Sequence, residues 1–356
     1  MAGKRHSLQD RPTSFDIAQR AGVSQPTVSR ALRGSPMVSE ATRRKIIEIA
    51  RELGYTVDKS ASALRSQKTH TLALLLFEDP SPDESAINPF FLAMLGSITR
   101  HCALRGYDLL ISFQAIDGDW HLDYEDSGKA DGMILLGYGD YQEYRWRLEQ
   151  LVEKGARFVR WGSMQEGQPG LTLGCDNWRG GYEVTRHLIG LGRKRIAFIG
   201  AADSSFPEFQ DRWRGYRQAI EEAGLSAAEE LRIDAVSSDD AGRAATEALI
   251  ARARPFDAIV AASDLIAIGA MEALQAAKIA TPDEVAVTGF DDILAAGVTR
   301  PPLTTVAQEA NAAGAKLVET LIALIDGESV AAAPLPVRLV VRESCGAKLP
   351  ARTERP

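Results

Sequence analysis

The chain has 356 residues, too many for one ordinary domain and enough for two or three. Its 45% hydrophobic and 25% charged residues exclude wholesale disorder. No apolar run reaches the roughly 20 residues of a membrane-spanning helix, and the opening MAGKRHSLQDRP leads into no apolar signal-peptide core.

Charge is divided unevenly. Through Lys68 the chain carries 13 Lys+Arg against 6 Asp+Glu, a net of +7, and beyond it 28 against 42, a net of −14. A basic head on an acidic body is the asymmetry of a nucleic-acid-binding module joined to a domain that avoids nucleic acid. Cys102, Cys175 and Cys345 lie far apart in no CxxC pair, which excludes a closed disulfide set and a cysteine-rich zinc site and fits a reducing cytoplasm. Five histidines without HExxH or a His/Cys cluster give no metal site, and no cofactor is expected.

In the head, Ser14 is placed to cap a first helix and Asp16 to favour its positive end, with Ile17 and Ala21 on one face and Gly22 as the stop. Ser24 caps a second helix with Pro26 in its first turn and Val28 and Leu32 as its apolar pair. Its other face shows Gln25, Thr27, Ser29, Arg30 and Arg33. Ser39 caps a third, where Ile46, Ile49, Ala50 and Leu53 keep helical spacing, Gly54 closes, and Arg43, Arg44 and Lys45 stay outside. Two short helices joined tightly, followed by a third, predict a helix-turn-helix. In that arrangement Gln25, Thr27, Ser29 and Arg30 read bases, while Arg33, Arg43 and Arg44 touch phosphates.

Asp58–Arg65 is a polar linker able to form one or two helical turns. From Thr71 onward short β-rich runs alternate with amphipathic stretches. Leu72–Phe77, Asp108–Phe113, Gly132–Leu136, Arg157–Trp161, Arg195–Gly200, Asp257–Ala262 and Val285–Gly289 read as buried strands, and Val337–Arg342 as a last one. Phe90–Arg105, Glu143–Lys154, Tyr182–Leu191 and Arg214–Ala223 read as helices, each ending at a glycine. Asp117–Gly128 looks irregular where a helix is expected. Strand–helix–strand at this spacing predicts parallel sheets wrapped by helices, in two lobes. No GxGxxG follows the first strand, GxxxxGK[ST] and GxSxG are absent, and His101, His121 and His187 sit alone, so no catalytic residues are assigned.

Asp16-Ile-Ala-x-x-Ala-Gly-Val-Ser-x-x-Thr-Val-Ser-Arg-x-Leu32, Val38-Ser-Glu-x-Thr-Arg and Glu52-Leu-Gly-Tyr55 resemble the headpiece of the LacI/GalR family of bacterial transcription regulators. Asp176-Asn-x-x-Gly-Gly, His187–Gly200, Ala262-Ser-Asp264, Thr288-Gly-Phe-Asp-Asp292 and Pro301-Pro-Leu-Thr-Thr305 resemble the family's body. The resemblance implies a small all-α helix-turn-helix headpiece plus an α/β two-lobe core like the periplasmic binding proteins. The DNA-binding domain would be 1–57, the hinge 58–69, the effector and dimerisation core 70–345, and the tail 346–356. One lobe would hold 70–175 and 305–330, the other 176–304 and 331–345.

By the same resemblance Ala61 and Leu64 match the hinge residues that enter the minor groove, although Tyr55-Thr-Val-Asp58 lacks the family's proline. Ser24 and Pro26 join the DNA-binding set. Asp291 matches an aspartate that accepts from sugar hydroxyls, Arg212 an arginine that clamps hydroxyls or a carboxylate, and Phe90 a platform beneath the ligand ring. Ser263-Asp264 stands for the family's Asn-Asp. Arg160-Trp161 stands where an aspartate commonly ends the fourth strand: the arginine suits an acidic sugar, the tryptophan a neutral one. The implied function is a cytoplasmic, homodimeric, sugar-responsive repressor of carbohydrate genes on pseudo-palindromic operator DNA. A sugar receptor without DNA function is the alternative, and the basic head weighs against it. The tail shows no leucine heptad of the kind that builds tetramers.

Overall fold

A computed structural model describes residues 12–32, 35–55, 68–77, 87–114, 119–137 and 139–348. The chain divides into two compact units, Met1–Thr69 and His70–Pro356. The first contains α1 (Ser14–Ala21), α2 (Gln25–Leu32) and α3 (Glu40–Glu52) around Ile17, Ala18, Ala21, Val28, Ala31, Val38, Ile46 and Ala50. The cap of α1 falls one residue before the expected Ser14. Thr13 accepts from the Asp16 amide while Asp16 accepts from the Thr13 amide, a reciprocal box that holds the Asp16 carboxyl below its ordinary range. Ser14 is thereby left to accept from Gln25 Nε2 at 3.2 Å. Gly22 takes the left-handed conformation that ends α1, at φ 71°. Across the bundle Lys45 Nζ donates to Ala21 O at 3.0 Å, fixing α3 to the end of α1.

The second unit contains two sheets. In the first lobe β1 (Thr71–Phe77), β2 (Asp108–Gln114), β3 (Gly132–Leu136), β4 (Phe158–Trp161) and β5 (Leu171–Leu173) pair in parallel, in the order β2-β1-β3-β4-β5. Alternate strand residues serve opposite faces. Leu72, Leu74, Ile134, Val159 and Trp161 meet α4 (Pro89–Leu104) and α10 (Ala310–Ile325). Ala73, Leu75, Met133, Leu135 and Phe158 meet α5 (Tyr141–Glu153). Trp120 and Tyr124 cover the same second face, and the segment that looked irregular contains, within its described residues 119–128, a π-helical turn, Leu122–Asp126, flanked and filled by these two buried aromatics. Polar composition hid it.

The second lobe contains β6 (Ile196–Ile199), β7 (Arg232–Ile233), β8 (Ala258–Ala261), β9 (Ala286–Asp291), β10 (Thr304–Gln308) and β11 (Val337–Val340). Their order is β11-β10-β9-β8-β6-β7, parallel except for β11 against β10. Around them lie α6 (Asn177–Gly190), α7 (Pro207–Glu222), α8 (Asp239–Ala251) and α9 (Asp264–Ala276). Because β10 runs to Gln308 inside this sheet, the chain recrosses after Gln308 and not at 305, and only α10 returns to the first lobe. The remaining crossing strands touch at a bridge between Cys175 and Leu335.

Helices α6 and α7 approach at glycine. A Cβ on Gly181 would lie 2.1 Å from Arg212 O, and one on Gly215 would lie 2.1 Å from Trp178 O. Backbone cannot yield as a side-chain tip can, so we predict that Gly215→Ala lowers unfolding free energy by about 1–3 kcal/mol. Urea denaturation followed by tryptophan fluorescence reads this directly; an unchanged midpoint would refute the close crossing.

Candidate functional site

Arg212 enters the interior from the second turn of α7 and is only 1% exposed. Its Nε donates to Asn177 Oδ1 at 2.8 Å, its Nη1 donates to Ala262 O at 2.5 Å, and Asp291 Oδ1 lies 3.7 Å away. The guanidinium lies 3.7 Å from the centre of the Phe290 ring. Asp291, 4% exposed at the end of β9, also accepts from Gln308 Nε2 at 2.6 Å. Its backbone is left-handed, φ 116°, followed by Asp292 at 57°. Non-glycine residues are rarely held so, and such strain collects where surrounding contacts over-determine a functional position. Arg342 secures the neighbour, Nη2 donating to Asp292 Oδ1 at 2.6 Å.

The other expected effector residues divide. Phe90 is buried 5.4 Å from Phe91 and 6.2 Å from Trp161, ring centre to ring centre, so Phe90 and Trp161 line one face of the first lobe together. Arg160 points to the opposite face. It donates to Tyr144 Oη at 2.9 Å, Gln168 Oε1 at 3.1 Å and Thr172 Oγ1 at 3.3 Å, and stacks 4.9 Å from the Tyr141 ring. Its position follows from strand alternation, since Phe158 and Arg160 share a face and Val159 and Trp161 share the other. Ser263 caps α9 and accepts from Ser237, whose hydroxyl also receives Asn88 Nδ2 at 3.3 Å. Asp264 braces the ends of neighbouring strands. One oxygen accepts from Thr305 Oγ1 at 2.5 Å and the other from the Ile293 amide at 2.9 Å. Burial, reinforced by Asp291, pushes its carboxyl well above the ordinary carboxylate range.

The lobes touch through polar clasps that sequence reasoning did not single out. The Ser163 amide donates to Glu208 Oε1 at 2.8 Å and its hydroxyl to Asp211 Oδ2 at 2.5 Å. The Tyr141 amide donates to Ser205 O at 2.8 Å, and Gln142 Nε2 to Ser204 O at 3.1 Å. Of these, only Glu208 carried a sequence signal, four residues before Arg212 on one helical face.

In the headpiece, Pro26 and Arg30 are exposed, Gln25, Thr27 and Ser29 half-buried, and Ser24 shares a hydroxyl contact of 2.9 Å with Thr27. Arg44 is exposed. Arg43, expected at phosphate, is committed elsewhere. Its Nη2 donates to Ser35 O at 2.8 Å and Val38 O at 3.4 Å, and it pairs with Glu40 at 3.6 Å. Loop carbonyls between α2 and α3 need that donor. Arg33, Ala61 and Leu64 lie outside the described residues.

A helix-turn-helix unit and a two-lobe α/β body with a buried polar site define a ligand-responsive DNA-binding regulator. The family of periplasmic binding protein-like domains matches residues 185–345, and that of bacterial regulatory proteins, lacI family, matches residues 15–58. The regulator DegA of Bacillus subtilis is 33% identical over 337 residues, 93% of this chain and 97% of that protein. CelR of Thermobifida fusca is 32% identical over 336 residues, 93% and 96%. A solved CelR–cellobiose complex superposes with TM-score 0.70 at 31% identity, over 94% of this chain and 100% of that one. The Lac repressor dimer bound to operator and the anti-inducer ONPF superposes at 0.79 with 22% identity, over 94% and 99%, a likeness of fold. The chain belongs to the lacI family of bacterial regulatory proteins. It is a sequence-specific transcriptional regulator and not an enzyme.

Removing one member of a buried charge pair leaves the other uncompensated, at a cost of about 3–5 kcal/mol. Arg212→Met is therefore predicted to destabilise the core by that order, and Arg212→Met with Asp291→Asn to recover much of it. A double-mutant cycle in urea gives the coupling; strictly additive losses would show that the two do not act as a pair.

Proposed function

We propose that the protein is a cytoplasmic homodimeric repressor of carbohydrate uptake or breakdown genes, released from its operator by a sugar or sugar derivative bound between the lobes. The observation that carries this reading is the Arg212–Asp291 pair, buried at the strand ends where open α/β sheets bind ligands, with Asn177 and Gln308 orienting it. Phe90 and Trp161 supply an apolar wall from the other lobe. The solved CelR complex with cellobiose and the ribose operon repressor of Escherichia coli, 29% identical over 315 residues, support a carbohydrate.

Dimerisation is supported by a sheet edge that pairs with no further strand among the described residues. Strand β2 ends its sheet and exposes Leu110, Ile111 and Phe113, while Leu92 and Leu104 of α4 are exposed nearby in sequence order. Apolar side chains beside an unpaired strand favour a partner. Light scattering is expected to give about twice the 38.6 kDa chain mass; a monomer or a tetramer would contradict it.

Two outcomes test the DNA and ligand roles. Gln25→Ala should relax operator preference, because a good base contact is worth about 1–3 kcal/mol of discrimination, whereas Arg44→Ala should weaken all DNA alike. Binding titrations against operator and scrambled duplexes separate them, and equal shifts on both would overturn the assignment. Asp291→Ala should hold operator in the presence of inducing carbohydrate. Release of that variant at the wild-type ligand concentration would remove Asp291 from the ligand site.

A further inference from the structure

Beneath the 162–170 loop, at the first lobe's boundary with the second, donors outnumber acceptors. Arg160 is 1% exposed, and among the described residues no carboxylate forms an ion pair with it. Its Nε has no hydrogen-bond partner. Neither do Tyr141 Oη and Gln168 Nε2, on two side chains that contact the same guanidinium, nor Gln165 Nε2, whose backbone amide bonds Gln168. The oxygen of Gln168 is already engaged by Arg160 and by the Gln165 amide at 3.3 Å, which leaves the Gln168 amine as the unmet group. A buried cation ringed by unmet donors is an arrangement whose missing complement is an anionic oxygen group.

One carboxylate stands close by, on the opposite lobe. Glu208 Oε1 and the Arg160 guanidinium carbon would lie 2.8 Å and 3.2 Å from a Cβ placed on Gly162, so both border the space beside that glycine. Glu208 spends that oxygen on the Ser163 amide. We propose that the Arg160 corner receives the carboxylate or phosphate of a small-molecule effector, in competition with Glu208. This rests on the effector reading above and narrows it to an acidic ligand. An anion seated on Arg160 repels Glu208, weakens the Ser163 clasp, and so favours separation of the lobes.

The test is calorimetry of the full chain with glucose, glucuronate and inorganic phosphate at matched ionic strength. Wild type is compared with Arg160→Met and Glu208→Gln; the second keeps an acceptor for Ser163 and serves if the first does not fold. At least one anion is expected to bind, about tenfold more tightly in Glu208→Gln and about tenfold more weakly in Arg160→Met, the loss of a charge-assisted hydrogen bond. Glucose should not respond to either substitution. Binding of neither anion, or anion binding unmoved by both variants, overturns the proposal. Glucose that binds and releases operator while the anions do not leaves the effector reading standing and removes this one. Phosphate binding through Arg160 without response to either carbohydrate supports the corner and removes the carbohydrate reading.

Discussion

The burial of Arg212 is the constraint on which the second lobe is arranged. A guanidinium taken out of water must meet acceptors on several sides, or it costs more than the fold can supply. Asn177 comes from the start of α6, Ala262 O from the end of β8, and Asp291 from the end of β9. Three elements distant in sequence therefore converge on one side chain. Convergence needs α6 and α7 to cross within reach, which Gly181 and Gly215 allow. It also needs β9 to end in a left-handed residue that is not glycine, since a carboxylate is required there.

Much of this was legible in the residues. In the head, helix starts follow from Ser24 and Ser39 and the end of α1 from Gly22, and the buried strands from short apolar runs bounded by turn residues. The cap at Thr13 was missed because Thr13 and Ser14 are both competent, and only the reciprocal bond with Asp16 separates them. Strands β5 and β7, three and two residues long, are too short to show a period. Helices α8 and α9 are rich in alanine and glycine, so their apolar faces are weakly marked.

The site was legible in composition and illegible in direction. Arg160 and Trp161 stand side by side in sequence and were expected at one pocket, but adjacent strand residues face opposite sides. Trp161 joins Phe90, and Arg160 joins Tyr141, Tyr144 and Gln168. Asp264 was expected at the ligand because Ser263-Asp264 stands for the family's Asn-Asp, and in the structure its oxygens accept from Thr305 and Ile293. Long-range hydrogen bonds of this kind leave no local pattern. Glu208 and Ser163, 45 positions apart, meet only through tertiary structure.

These contacts also bear on how a ligand could act. The lobes in this structure already meet through the Ser163, Tyr141 and Asn88 bonds, so a ligand between them must exchange protein contacts for its own. Its effect on lobe disposition is the difference between what it gains in each arrangement. Inverting a hundredfold preference takes about 5.5 kcal/mol of differential binding. Hydroxyls meeting Asp291 and Arg212 replace hydrogen bonds that the residues partly satisfy already, for a net gain of about 0.5–1.5 kcal/mol each. A charged group meeting unsatisfied donors forms stronger hydrogen bonds, set against its own desolvation and the loosened Ser163–Glu208 clasp. Of the two buried arginines among the described residues, Arg212 has a carboxylate 3.7 Å away, and Arg160 has its Nε without a hydrogen-bond partner. On the acidic-ligand proposal, part of a ligand's switching free energy is drawn from the first lobe, at Arg160.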